Sequence, residues 1–365
     1  MKIHLERERI LPILSAMASI ANRRPIQPIL SHVLLESREG KIRFLATDLE
    51  VQLAAQMETP IDTPGKTTVP ARKLFEIFRT LPENVQIELK QEGEHLRIRS
   101  GNARFSLHTL PAEQFPGLQP GETRLQGHCE AESFHTALSV ASISMAQNDA
   151  RFFLNGVLVE ITGQQMRLVA TDGHRLSLMH IPFVQEGAHG SYQGILPRKA
   201  VLELLRLVAS GNLSLCFSDT SFVLETADQQ FSCKLVDAKY PDYRRVIPVG
   251  HPSKAHVQRM GFKNALQQID IVSSDKNPAA ILVFQDGEIT LRSRNEEQEE
   301  AEIQIPAEFH GEKVEIAFNT RYLMDSAQIL EDEDIQVSIK DGSSSAMFTG
   351  PESDNPLYIV MPIRL

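Results

Sequence analysis

The chain has 365 residues, 42% hydrophobic and 23% charged, with a formal net charge of −10 at pH 7. That is enough for two or three average domains with a sizeable core, which excludes a disordered tail. No uninterrupted apolar run reaches the roughly 18–20 residues of a membrane span. Charges at Lys2, Glu6, Arg7, Glu8 and Arg9 stand where a signal peptide needs its apolar core, so export is not expected. Cys129, Cys216 and Cys233 are an odd number with no CxxC pair, which argues against a disulfide framework or zinc knuckle and fits a reducing cytosol.

Apolar periodicity predicts a first helix over residues 9–21 and a hairpin over 32–46 turning at Gly40. A second helix follows at 71–81, a second hairpin at 85–100 and a strand at 104–110. The order then recurs. A helix at 133–146, with Ser133 as N-cap, precedes a hairpin at 156–170 turning at Gly163; after these come a helix at 198–209, a hairpin at 212–226 and a strand at 231–236. It recurs again as a helix at 261–273, a hairpin at 280–293 turning at Gly287, a helix at 319–330, a hairpin at 335–349 and a strand at 357–362. The three turn glycines are 123 and 124 residues apart. The chain therefore reads as an α+β protein of three tandem helix–hairpin–helix–hairpin repeats, 1–125, 126–247 and 248–365. Gly and Pro in 119–127 and 248–253 suit linkers.

Charge divides unevenly among the repeats, with nets of +2, −2 and −10. The first carries Arg97, Arg99 and Arg104 beside Phe105 and Leu107; the third carries an acidic run over 295–302 and apolar Ile271 and Val272. The run is either a solvated face or one side of a head-to-tail contact in which apolar residues are ringed by opposite charges. A heterologous contact must close into a ring or grow into a filament. A 120-residue domain is roughly 30–35 Å wide, so three closed upon themselves leave essentially no hole, whereas six enclose one on the order of 30 Å, enough for a B-form duplex. Arg72 and Arg79 share one helix face, and Arg198, Lys199 and Arg206 repeat the arrangement in the second repeat. Arg23 and Arg24 add a pair on the loop after the first helix. Phosphate contacts of this kind are sequence-independent and weakened by salt. With no Trp and five Tyr, single-strand binding by stacking is disfavoured.

Catalytic signatures are sparse. Asp172 and His174 in Thr171–Leu176 could form a base with its orienting carboxylate, but Asp-Gly is a turn signal, and Thr47-Asp48 holds the same place in the first repeat without a histidine. Walker and GxGxxG strings, a nucleophile elbow, helical HxxxH spacing and a calcium-loop pattern are all absent, so no enzyme activity, cofactor or metal is expected. The end of the chain, 357–365, is apolar almost to its last residue, and is either docked in the core or part of an adaptable peptide-binding surface.

The full length resembles the bacterial DNA polymerase III beta subunit family, the sliding clamps. The resemblance is carried by Arg24-Pro25, residues 46–50 (ATDLE), 69–73 (VPARK), 104–107 (RFSL), 154–156 (LNG), 170–176 (ATDGHRL), 240–246 (YPDYRRV), 296–302 (EEQEEAE) and 360–365 (VMPIRL). It implies a homodimeric, head-to-tail ring of six clamp-fold domains with helices inside and sheets outside, encircling double-stranded DNA without base recognition. The implied partners are the replicative polymerase catalytic subunit, a separate clamp loader, and repair and translesion polymerases, in the cytoplasm at the nucleoid. By the same resemblance, a partner-peptide groove comprises Leu154, Thr171, Gly173, His174, Arg175, Leu176, Pro241, Arg245, Val246, Val360, Met361, Pro362, Ile363, Arg364 and Leu365. DNA contacts fall to Arg24, Arg72, Lys73, Arg198 and Lys199, and to Asn148, where the family's Gln is shortened by one methylene. The implied dimer interface sets Arg104, Phe105 and Leu107 against Ile271, Val272, Glu297, Glu299 and Glu300. A peptide-binding scaffold that encircles nothing, and a hydrolase built on Asp172 and His174, are the alternatives.

Overall fold

A computed structural model describes residues 1–21, 26–187, 190–208, 210–274 and 278–364. Arg24 and Leu365, with Arg23 and Pro25, lie outside the described residues. The contacts gather the chain into two compact units, Met1–His135 with Phe183–Asp237, and Thr136–Pro182 with Ala238–Leu365.

Among the described residues six helices form where apolar periodicity places them: α1 Arg7–Ile20, α2 Ala71–Thr80, α3 Ala131–Ile143, α4 Arg198–Leu207, α5 Arg259–Asp270 and α6 Thr320–Ile329. Three starts differ by two residues from expectation, among them α1, which begins at Arg7 rather than at residue 9. α3 begins at Ala131, so Ser133 lies inside the helix and is not its N-cap, and α5 begins at Arg259, two residues earlier than the apolar pattern suggests. Asn319 is a true cap of α6, its Oδ1 accepting from Arg321 N at 3.0 Å and Tyr322 N at 3.4 Å.

The hairpins are also present, and the structure adds strands between them. Gly40, Gly163 and Gly287 hold positive φ (77°, 59° and 80°), the left-handed geometry a tight hairpin turn requires. Each repeat also has a strand before its first helix (Lys2–Glu6, Leu125–Glu130, Ser253–Gln258) and a third strand after its first hairpin (Val51–Glu58, Arg175–Pro182, Glu300–Pro306). In the first unit, Gln229–Lys234, which closes the second repeat, pairs antiparallel with Val51–Glu58 of the first, so one nine-stranded sheet runs through both. In the second unit, Leu357–Val360 pairs in the same way with Arg175–Pro182. The closing strand of the first repeat and the third strand of the last end their sheets: Ala103–His108 is the edge of a five-stranded sheet, and Glu300–Pro306 the edge of a four-stranded one.

Two of the helix pairs, α1 with α2 and α5 with α6, pack together and are tied at the same place. Arg7, opening α1, donates to the α2 carbonyls of Phe78 and Arg79 at 3.0 and 3.2 Å. Arg259, opening α5, donates to Ala327 O of α6 at 3.3 Å and Asp332 O just beyond it at 2.8 Å. A cation there satisfies carbonyls left open at a helix C-terminus and complements its dipole. The second unit's core is continuous, with Phe262, Phe284, Phe309, Phe318, Phe348 and Tyr358 all buried.

Candidate functional site

The segment 171–175 is a turn built by its own side chains. Thr171 Oγ1 donates to Arg175 O at 2.7 Å and accepts from Gly173 N at 3.1 Å. Asp172 Oδ1 accepts from His174 N and Arg175 N at 2.9 and 3.0 Å. Gly173 has φ +91°, and a Cβ there would sit 3.2 Å from the Arg151 guanidinium. Asp172 and His174 are thus turn residues, the carboxylate spent on backbone N–H groups and on Arg175 Nε at 3.1 Å. No general-base pair is assembled.

The turn is held from three sides. Tyr240 OH accepts from Thr171 N at 3.0 Å, and burial pushes that phenol's pKa up. Arg175 also pairs with Asp325 of α6 and lies over the Tyr322 ring, 4.4 Å from its centroid. Burial raises the Asp325 pKa despite this partner. Arg151 Nη2 reaches Asp172 O at 3.1 Å while its hydrogen bonds to Asp149 push that carboxyl down to about 2. The chain end completes the surface: Met361 N donates to His174 O at 2.8 Å and Ile363 N to Ala317 O at 2.8 Å.

The residues expected to form a groove divide by burial. Leu154, Leu176 and Val360 are buried. Thr171, Arg175, Val246, Met361, Pro362 and Ile363 are half-buried, and Gly173, His174, Pro241, Arg245 and Arg364 are exposed. Of the two readings of the chain end, core strand and surface, each applies to part of it: Leu357–Val360 is a buried strand and 361–364 lies at the surface. Tyr240, Tyr322, Asp325 and Glu160 support this face and were missed by sequence reasoning. Glu160, a carboxylate in an otherwise apolar strand, and Tyr240, inside the 240–246 motif, gave a signal, whereas Tyr322 and Asp325 gave none.

Arg72 and Lys73 are exposed in the first turn of α2, and half-buried Arg198 and Lys199 open α4. Cations in a first helical turn oppose the helix dipole, a cost that a bound phosphate would offset. The Lys199 ammonium pairs with Asp48. Asn148, exposed at φ 57°, sits in the bend leading to Asp149. Of the residues expected at an interface, Arg104 is exposed, Phe105 half-buried and Leu107 buried on the edge strand Ala103–His108. Ile271 is 83% exposed, Val272 half-buried, and Glu297, Glu299 and Glu300 exposed. A cavity of about 790 Å³, lined by Ile281, Arg292, Arg294, Asn295, Glu300 and Glu302, opens beside the other edge strand.

Repeated helix–hairpin units whose sheets run on from one repeat to the next define the class of clamp-fold proteins. Residues 1–119, 128–242 and 244–364 match the N-terminal, central and C-terminal domain families of the DNA polymerase III beta subunit. The chain is 37% identical to the beta sliding clamp of Pseudomonas putida and 36% identical to that of Escherichia coli K12, each over the whole of both chains. It superposes on the Pseudomonas aeruginosa sliding clamp bound to griselimycin with a TM-score of 0.97 at 35% identity, covering both chains completely. The chain belongs to the DNA polymerase III beta subunit family, the beta sliding clamps. It is a DNA sliding clamp that tethers polymerase, an accessory factor rather than a catalyst, and membership implies a dimer, DNA and a DNA polymerase as partners. Among the described residues no helix is long and apolar enough to cross a membrane.

Proposed function

We propose that two copies of this chain close head to tail into a ring of six domains, bounded near residues 125 and 247, that encircles duplex DNA in the bacterial cytoplasm. The observation that carries this reading is the strand pairing. The closing strands of repeats two and three each pair with the third strand of the repeat before, while Ala103–His108 and Glu300–Pro306 remain as sheet edges. Joining those two edges across two chains continues the internal rule and covers a pairing template that would otherwise be a liability. Arg104 then meets Glu297, Glu299 and Glu300, and Phe105 and Leu107 meet Ile271 and Val272.

DNA passes through by contact with Arg24, Arg72, Lys73 and Arg198, with Asn148 reaching less far than a glutamine would. The face formed by the 171–176 turn, the 240–246 segment and 360–365 takes short apolar-anchored peptides of the replicative polymerase, the clamp loader and repair and translesion polymerases, which compete for it. The test is topological. Protein loaded onto a nicked circular plasmid should co-elute with it on a sizing column and be lost when the plasmid is linearised. Equal retention on both forms would contradict encirclement.

A further inference from the structure

Strand Gly156–Thr162 is buried along nearly its whole length, yet it carries a carboxylate at Glu160. A buried carboxylate persists where charge and hydrogen bonds compensate its desolvation. Tyr243 OH donates to Glu160 Oε2 at 2.5 Å, and Arg244 Nη2 donates to both carboxylate oxygens at 2.9 Å. Arg167, its cross-strand neighbour, stands 3.6 Å from Oε2 and donates to the Tyr243 hydroxyl at 3.3 Å. Arg244 also lies over the Tyr243 ring, 4.8 Å from its centroid.

Two of these three partners belong to the segment that presents Pro241, Arg245 and Val246. The other end of that segment is tied by Tyr240 to Thr171 N. The 240–246 segment is therefore pinned twice, once to the 171–175 turn and once to a buried charge in the sheet.

We propose that Glu160 is a positioning residue for partner binding: through Tyr243 and Arg244 it holds the 240–246 segment in the conformation that accepts a peptide. This rests on the peptide-groove reading above. Without the carboxylate the segment samples other conformations, and apparent affinity falls by the fraction of time it is out of place.

The test is surface-plasmon kinetics on the full-length protein with a peptide from the C-terminus of the replicative polymerase catalytic subunit. Glu160→Gln keeps the shape and removes the charge. Tyr243→Phe keeps the packing and removes one hydrogen bond, so it remains informative if the first variant melts early. If only about a tenth of the molecules hold the segment in place, affinity and on-rate fall together by about tenfold with the off-rate near wild type. A wild-type on-rate and affinity in both variants would overturn the inference, as would a faster off-rate at unchanged on-rate, which marks a direct contact. Met361→Ala, run in parallel, separates the two failures. It should weaken binding through the off-rate, and if it binds as wild type does the groove reading itself is wrong and this inference falls with it.

Discussion

The turns at 47–51 and 171–175 are the same device built twice, and only one lies on the face proposed to take partner peptides. In the first, Thr47 Oγ1 donates to Val51 O at 2.9 Å and accepts from Leu49 N at 3.0 Å, while Asp48 Oδ1 accepts from Glu50 N and Val51 N at 3.0 and 2.9 Å. Every one of these bonds has its counterpart at Thr171 and Asp172. The following chain repeats as well: Lys234 N reaches Glu50 O as Met361 N reaches His174 O. The difference lies in what is attached. The first turn gives its second carboxylate oxygen to Lys199 and is followed by Lys234, whereas the second adds Arg175, Asp325 and Tyr322 and is followed by Met361, Pro362 and Ile363. Shared backbone geometry therefore sets the shape, and a handful of side chains decide whether that shape is a joint or a docking face.

The largest expected effect removes the shared part. Asp48→Ala and Asp172→Ala each leave two backbone N–H groups without their acceptor, so each should cost about 2–3 kcal/mol by chemical denaturation. Only Asp172→Ala should also abolish polymerase-peptide binding; equal loss in both variants would break the distinction.

Acid sharpens it next. His32 opens the first hairpin where Gly156 opens the second, and burial, opposed by a bond to Thr68, lowers its pKa from 6.5 to about 4. The unfolded chain binds the proton more readily, so this contribution is complete above pH 6.5 and is lost as pH falls toward 4. Urea titrations should show about 1–2 kcal/mol of pH dependence across that window that His32→Phe removes. The same slope in the variant would assign it elsewhere.

Met361→Ala should weaken peptide binding about tenfold, or about 1.4 kcal/mol, with an unchanged melting temperature. Lys234→Ala, at the equivalent step after the first turn, should leave binding untouched in the same fluorescence-polarisation assay. The smallest effects concern the matched helix starts. Arg72→Ala should lower the salt dependence of DNA retention by about one unit of slope. Lys199→Ala, already committed to Asp48, should instead lower the melting temperature by the equivalent of about 0.5–1 kcal/mol and leave the slope alone.

Much of this was legible before any coordinates. Tight hairpins announce themselves through Gly40, Gly163 and Gly287, and helices through their apolar spacing, because both are local rules. What stayed hidden is non-local. The third strand of each of the first two repeats begins at a turn made by Thr and Asp hydroxyl and carboxylate bonds, and the sequence has no glycine at that turn in the first repeat, where Leu49 itself takes φ 77°. α3 starts ahead of Ser133, at Ala131, whose N–H donates to the Gly211 carbonyl at 2.9 Å, a partner 80 residues away. The turn itself was readable at Thr171-Asp172-Gly173, but its partners Tyr240, Tyr322 and Asp325 come from segments up to 150 residues away, and only the folded chain brings them there. Lys199 shows the opposite limit: its position on a basic helix suggested phosphate, and only its pairing with Asp48 argues otherwise.

Hydrogen–deuterium exchange with and without the polymerase peptide tests the central claim most directly. The account predicts protection in 171–176, 240–246 and 357–364, with 47–51 and 234–237 unchanged. Protection of both turns, or of the first alone, would contradict it.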